Sequence, residues 1–484
     1  MRPTPPKTVS LLDEASIERV HQESLWILEN IGVRVDDPGC ELILKRAGAT
    51  SGDQSGVVLL PVAMVETALA EIRKDFRLVH PSGEPFWATG GPPEVGTRVK
   101  MPGILDYGAT ECRPPRRQDV IDLCRLTNAL EGADFTCPIT YPSSDVPPEI
   151  DVIDTLGLCL AVTGKMACLG PSTEEGARAE LDMVAAASGD DDFERTPATW
   201  VAVNTTSPLV LGAREGAIIR HVVGRHVTID VEPMAVSGAS TPFTLAGTLA
   251  VENAETLFLC TLANAIWPGA RVIHSTCGSS MNMRAANLSM GGPETCLLSS
   301  AELAMAHHYG LPTYRMGGYS DAYYPDVQAG IEKTAATLLL QFSGVDLVTM
   351  GGPLDHAGHL SYEQLVIDHD IWQLVQRLGR EIEVNEATLA REAVRRVPHG
   401  GSYIDEEHTY EWLRSGEHFY SGSFAHSGLS GEANTMLAAA HERVVEILSK
   451  PVVFEAPPDM LARIKEHVRD YSRSVGVDAP DWTL

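Results

Sequence analysis

The sequence predicts an α/β fold: a TIM (β/α)8 barrel carrying an N-terminal helical module and a C-terminal helical appendage. Three observations predict it. Across residues 101–380 a short apolar run and a longer amphipathic segment alternate eight times. Several of those runs (TWVAVN, VTIDV, RVIHST, VDLVTM) are β-branched or apolar at most positions, as strands buried on both faces should be. Twice in succession, between Pro312 and Gly379, an apolar run ends in a Gly-Gly pair and a polar cluster before the next helix begins. Barrel enzymes place their chemistry at such strand ends.

The N-terminal module spans residues 1–100. After a loose tail, Ser16–Asn30 sets Ile17, Val20, Leu25 and Leu28 on one helical stripe and stops at Gly32. Further helices are expected over Asp37–Ala47 and Leu59–Arg73, followed by short strands and turns over 75–100. The barrel units then pair Ile104–Tyr107 with Arg117–Glu131, Asp134–Tyr141 with Ile150–Val162, Lys165–Leu169 with Thr173–Ser188, and Thr199–Asn204 with Glu215–Val223. The next four pair Val227–Val236 with Leu245–Ile266, Arg271–Thr276 with Glu294–His308, Thr313–Met316 with Asp326–Phe342, and Val345–Met350 with Ser361–Leu378. Most of these helices start after Ser, Thr, Asp or Glu and stop near Gly. No G-x-G-x-x-G follows an early strand, which disfavours a doubly wound open sheet. The appendage, 381–484, reads as helices over Asn385–Val397, Thr409–Leu413, Glu432–Leu448 and Pro458–Ser474.

The formal net charge of −28 argues against nucleic acid and anionic membranes as main partners, and reads either as simple solubility or as suiting a cationic substrate or a partner with a basic patch. MRPTPPKTVS has no apolar signal core, and no apolar run reaches the ~18 residues that span a bilayer. Nine cysteines, mostly inside apolar segments, suit a reducing cytoplasm. Neither C-x-x-C nor H-E-x-x-H occurs, so no metal site is assigned.

Residues just past the strands are the site candidates, and they are rich in Ser, Thr, Asn and Tyr with few cations. Such a set suits a small cation held by hydrogen bonds and aromatic faces, not a phosphate. Tyr319, Tyr323 and Tyr324, beside Asp321, form the densest aromatic cluster, and read either as a cage for a quaternary ammonium or as loop packing. Asp355, His356 and His359 offer a general acid or base, or a pair of metal ligands, or alternatively loop hydrogen bonding and a helix N-cap. Asn204 and Glu232 are strand-end candidates for substrate binding. Cys277 is either a nucleophile or a packing thiol, and Arg284, Arg315 and His274 are either carboxylate binders or structural.

Three blocks carry a resemblance: LLDEASIERVHQESLWILENIGVRVDDPGC, SSMNMRAANLSMGGPETCLLSSAELAMAHHYGLP, and SDAYYPDVQAGIEKTAATLLLQFSGVDLV with LSYEQLVIDHDI. Over residues 10–470 the chain resembles the trimethylamine methyltransferase family. The resemblance implies a barrel and a corrinoid-dependent methyl transfer, in which a methylated amine passes a methyl group to the cobalt of a separate small corrinoid-binding protein. The cofactor is thus presented by a partner, and none is expected tightly bound; a homo-oligomer is expected. Members acting on trimethylamine carry pyrrolysine after the last barrel strand. The matching place here is Asp355–Ala357, with His356 the best match, all ordinary residues. This points to the pyrrolysine-lacking branch typified by glycine betaine methyltransferase, whose substrate is already quaternary. The stretch His418–Leu429 departs from the family's tail and is expected to bear on substrate or partner preference. The alternatives are a zinc-dependent corrinoid methyltransferase and a non-catalytic binding protein for methylated amines.

Overall fold

A computed structural model describes residues 9–138, 141–424 and 435–482. Its centre is an eight-stranded parallel sheet. The strands are β1 (Glu94–Arg98), β2 (Ala133–Cys137), β3 (Met166–Leu169), β4 (Thr199–Val203), β5 (Thr228–Val231), β6 (Val272–His274), β7 (Tyr314–Met316) and β8 (Leu347–Met350). They pair in ring order from β1 to β6, while β8 joins β1 to β7. The remaining gap is closed by a parallel bridge between His274 and Thr313, with the His274 N–H donating to the Pro312 carbonyl at 2.8 Å. The sheet therefore has no free edge, which is the defining property of a barrel.

Each strand is followed by a helix: α1 (Arg117–Ala129), α2 (Pro148–Thr163), α3 (Glu174–Ser188), α4 (Ala213–Gly224), α5 (Leu245–Ile266), α6 (Pro293–Tyr309), α7 (Val327–Ser343) and α8 (Tyr362–Leu378). The predicted units hold except for the first. Ile104–Tyr107 is not a barrel strand; Ile104 instead bridges Arg113 and Leu360 in a segment that crosses the barrel end. The true first strand, EVGTR, lies in the stretch read as linking turns. Glu94, Gly96 and Arg98 hid it, because they break the apolar run that marks a buried strand. Gly96 is required there: a Cβ at this position would sit 2.3 Å from the Phe135 ring on β2. The strand expected over Val227–Val236 is also split. Val231 ends the barrel portion, and Val236–Ser237 joins a small sheet with the hairpin Ser279–Asn282 and Asn287–Ser289.

The flanking helices cover the barrel's outer ring. Helix Glu14–Asn30 packs on α5, where the Ser24 hydroxyl donates to the Ala250 carbonyl at 2.9 Å. Asp37 caps helix Pro38–Ala47 and receives a two-pronged ion pair from Arg220 of α4 at 2.9 and 3.1 Å. Helices Met436–Leu448 and Pro458–Ser474 pack on α8 and α1, and on α2 and α3. The helix expected over Asn385–Val397 is reduced to Arg391–Arg396. Residues 425–429, within the stretch expected to influence preference, lie outside the described residues. No helix among the described residues is long and apolar enough to cross a membrane.

One charge pair joins α7 and α8 to the strand ends. The Lys333 ammonium and the Asp368 carboxylate, both fully buried, meet at 2.9 Å. Lys333 also donates to the Gly318 carbonyl, and Asp368 accepts the Gly352 N–H at 2.8 Å. Removing one member of such a pair strands a buried charge. Lys333→Met is therefore expected to lose about 3–5 kcal/mol of stability. A denaturant midpoint equal to wild type would show that the pair carries no such role.

Candidate active site

A cavity of about 430 Å³ opens at the C-terminal end of the strands. Its walls are the last inward-facing residues of the barrel: Arg98 from β1, Cys137 from β2, Cys168 from β3, Asp230 from β5 and Tyr314 with Met316 from β7. Loop residues complete it, among them Asn204, Glu232, Cys277, Tyr319 and His356. The hairpin after β6 contributes Leu288, and Met290 follows it. Five of the ten residues nominated from sequence thus converge on one space.

The five others do not line it. Asp321 stands behind His356 and organises it. One Asp321 oxygen accepts the N–H groups of Met290 and Gly291 at 2.7 and 2.9 Å and meets His356 Nδ1 at 2.9 Å. The other accepts the Ser289 hydroxyl at 2.7 Å. A carboxylate facing Nδ1 fixes the proton on that nitrogen and leaves Nε2 as acceptor for the Asn287 amide at 3.1 Å. His356 thereby joins the loop after β8 to the hairpin covering the cavity.

Tyr323 and Tyr324 do not form a cage. The Tyr323 hydroxyl accepts the Cys112 N–H at 3.3 Å, and the Tyr324 hydroxyl donates to the Thr110 carbonyl at 3.0 Å. Both staple the segment that crosses the barrel end. His359 braces the same staple: its Nε2 donates to the Tyr323 carbonyl at 2.8 Å, and its ring centre lies 4.6 Å from that of Tyr323. Burial lowers the His359 pKa, against the opposing pull of the Tyr323 carbonyl and Asp355. The Asp355 carboxylate lies 4.0 Å from His359 and is partly exposed, outside the cavity. Packing wins here because these side chains point away from the barrel axis, which loop sequence alone does not reveal.

The conformation of the loop is unusual. Asp355, His356 and Ala357 all adopt positive φ (50°, 53° and 73°). Non-glycine residues resist that region, and three in a row require outside support. It comes from the preceding loop: the Asp355 N–H donates to the Ala322 carbonyl at 2.8 Å and the His356 N–H to the Ser320 carbonyl at 3.1 Å.

Charge inside the cavity is distinctive. Arg98 is only 4% exposed, donates to the Met316 sulfur and lies 5.5 Å from the Tyr319 ring centre. Burial drives the Asp230 carboxyl well above the usual carboxylate range, and neighbouring Glu232 adds to the effect. Burial also raises Glu232, to about 7, although Arg98 partly opposes it. Burial would raise the Cys137 thiol too, but Cys168 and the Arg98 charge outweigh it and bring it down to about 7. Burial raises the Cys277 thiol well above its usual range. Arg315 and His274 are structural: Arg315 donates to the His274 carbonyl at 2.8 Å and pairs with Glu302 at 3.7 Å. Arg284 lies exposed between the hairpin strands. Among the described residues no group of three His, Cys, Asp or Glu side chains is arranged to hold a metal ion.

The sequence reading missed Arg98, Asp230, Cys137, Cys168 and Tyr314. The available signal was a charged residue inside an otherwise apolar strand, as in VTIDV.

Residues 2–476 match the family described as trimethylamine methyltransferase (MTTB). The chain belongs to the trimethylamine methyltransferase family. It is a methyltransferase. The trimethylamine methyltransferase MttB of Methanosarcina barkeri (strain Fusaro) is 30% identical over 473 residues, covering 94% of this chain and 93% of the relative. The glycine betaine methyltransferase of Desulfitobacterium hafniense (strain Y51) is 26% identical over 484 residues, covering 96% and 98%. The crystal structure of the Methanosarcina barkeri monomethylamine methyltransferase MtmB aligns over 91% of this chain and 93% of its own, with 13% identity and a TM-score of 0.48.

In this methyltransferase the Asp321 carboxylate holds both His356 and the start of the segment after the hairpin. Asp321→Ala is expected to speed amide exchange at Met290 and Gly291 by about tenfold or more, since each loses a bond to a charged acceptor. Unchanged protection at both amides would show that the hairpin is held independently.

Proposed function

We propose that the protein transfers a methyl group from a small quaternary amine of the glycine betaine type to a corrinoid presented by a small partner protein. The observation that carries the reading is the cavity itself. It is small, lined by barrel-end side chains, and includes the Glu232 carboxyl alongside the rings of Tyr314 and Tyr319. Those are the groups that hold a methylated cation. The relatives support a methylated amine as donor, because one is named for trimethylamine and another for glycine betaine.

The partner's corrinoid supplies the reduced cobalt that accepts the methyl group. The residues at the cavity entrance fit a large, partly apolar ring system. Met234 lines the cavity and is exposed; Phe243 and Met283 are exposed as well. Phe243 and Met283 sit side by side over Gly238: a Cβ there would lie 2.6 Å from Phe243 and 3.7 Å from the Met283 sulfur.

The chain's own task is to bind, orient and shield. Leu288 and Met290, on and next to the hairpin, close one side of the cavity to water. Glu232 faces the cation, and its poise near neutrality limits how strongly it stabilises the bound ground state. That restraint helps, because positive charge on nitrogen disappears as the methyl group leaves. A quaternary donor departs as a neutral tertiary amine, so no residue has to donate a proton to it. In this reading His356, held by Asp321, shapes the wall near the opening rather than forming a covalent adduct.

The test is a screen of quaternary amines, with trimethylamine included, for methylation of a Co(I) corrinoid protein. Transfer from glycine betaine or a near analogue, with none from trimethylamine, is the expected result. Transfer from trimethylamine alone, or from no methylated amine, would overturn the reading.

A pH prediction follows from Glu232. Its carboxyl is protonated below about 7 and ionised above. Cation affinity should therefore rise, and KM for the quaternary amine fall, as pH increases from about 6 to 8. Glu232→Gln should flatten that dependence; a profile of the same slope in the variant would remove Glu232 from cation binding.

A further inference from the structure

Arg98 is a buried cation whose guanidinium has few hydrogen-bond acceptors among the described residues. It is almost wholly buried at the end of β1, yet lines the cavity. Among the described residues no carboxylate lies within ion-pair distance of it. Its recorded contacts are a thioether, Met316, and the face of Tyr319. Cys137, its partner in strand register, offers a sulfur whose pKa is drawn down to about 7, so it is only partly ionised near neutral pH. A guanidinium carries five N–H donors in a planar fork, and burying it with most of them unmatched is unfavourable.

The ring order adds geometry. Arg98 ends β1 and Glu232 follows β5, four strands away in a ring of eight, so the two charged groups stand on opposite walls. The cavity presents a cation on one side and an acid on the other. A plain cation such as choline satisfies only the acid. A molecule with an ammonium at one end and a carboxylate at the other satisfies both.

We infer that Arg98 is the anchor for a substrate carboxylate, so that the cavity selects a small zwitterion, a trimethylammonio-carboxylate, over a simple quaternary cation. The inference rests on the quaternary-amine reading above and adds the residue that sets specificity within it. A guanidinium fork suits a carboxylate through two parallel N–H···O bonds, and the match improves out of water. Fixing the carboxylate at β1 also fixes the opposite end of a short molecule, which orients the N–CH3 bonds without further contacts.

The experiment is direct binding by calorimetry, which needs neither corrinoid nor methyl transfer. The ligands are glycine betaine, its methyl ester and choline, the last two keeping the cation but lacking the carboxylate charge. Wild-type protein is expected to bind glycine betaine at least about 30-fold more tightly than the ester or choline, the scale set by a buried, hydrogen-bonded charge pair. In Arg98→Gln that gap should close through loss of betaine affinity, with choline affinity little changed. Because the comparison of ligands on wild-type protein requires no variant, a folding defect in Arg98→Gln does not obscure it. Equal affinities for betaine and ester in wild type would overturn the Arg98 anchor and leave the amine reading standing. A gap that survives in Arg98→Gln would do the same. Binding of no methylated amine at all would overturn both.

Discussion

The buried pair between Lys333 and Asp368 couples two helices to two glycine turns, and the functional loops take their places from it. Gly317-Gly318 ends β7 and Gly351-Gly352 ends β8. Gly318, Gly351 and Gly352 have φ of 69°, 134° and 83°, a region that side chains resist. The chain can turn sharply there, but glycine alone does not dictate where it goes. Lys333 reaches the Gly318 carbonyl and Asp368 the Gly352 amide, so one ion pair pins both turns. An apolar pair of similar volume could be as stabilising. It could not satisfy a carbonyl on one turn and an N–H on the other.

Downstream of those turns a second tier of bonds sets the site. Glu332, next to Lys333 on α7, accepts the Ser320 hydroxyl at 2.6 Å and the Asp321 N–H at 2.8 Å. Asp321 then holds His356 and the residues after the hairpin. The order runs from helix to loop, from loop to hairpin, and from hairpin to cavity wall. Each step uses a carboxylate accepting backbone or side-chain N–H and O–H groups, which is the strong form of the hydrogen bond. The large acidic excess of the chain, −28 overall, is thus partly internal. Some of those carboxylates are connectors rather than solvated surface.

The barrel was legible because its strands and helices alternate with clear periods, and because glycines punctuate the helix ends. The first strand was not, since EVGTR carries a glycine that Phe135 needs and an arginine that the cavity receives. The loops after β7 and β8 were legible as polar clusters, but not the direction of their side chains. Tyr319 turns inward while Tyr323 and Tyr324 turn to the crossing segment, within a span of six residues. The richest part of the site was hidden for a simpler reason. Cys137, Cys168 and Asp230 belong to strands, and a residue inside a strand reads as core until the ring closes and shows that its side chain faces a cavity, while Arg98 ends a strand that was itself hidden.

The strained turn at Asp355–Ala357 bears on what His356 is for. Three successive non-glycine residues at positive φ cost of order 1–3 kcal/mol each, and such strain persists only where the surroundings over-determine it. Here they do: two backbone bonds to Ser320 and Ala322 hold the turn, and the His356 ring is bonded at both nitrogens. A side chain held at both nitrogens is fixed in orientation at the cavity's edge. It is well suited to a fixed wall. In the proposed reaction that is what the position requires, since a quaternary donor needs neither a protonating acid nor a covalent partner. It needs a methyl group aimed at the opening and water kept away. The strain is then the cost of placing a rigid imidazole at the cavity's edge, and the Asp321 network is what makes that placement permanent.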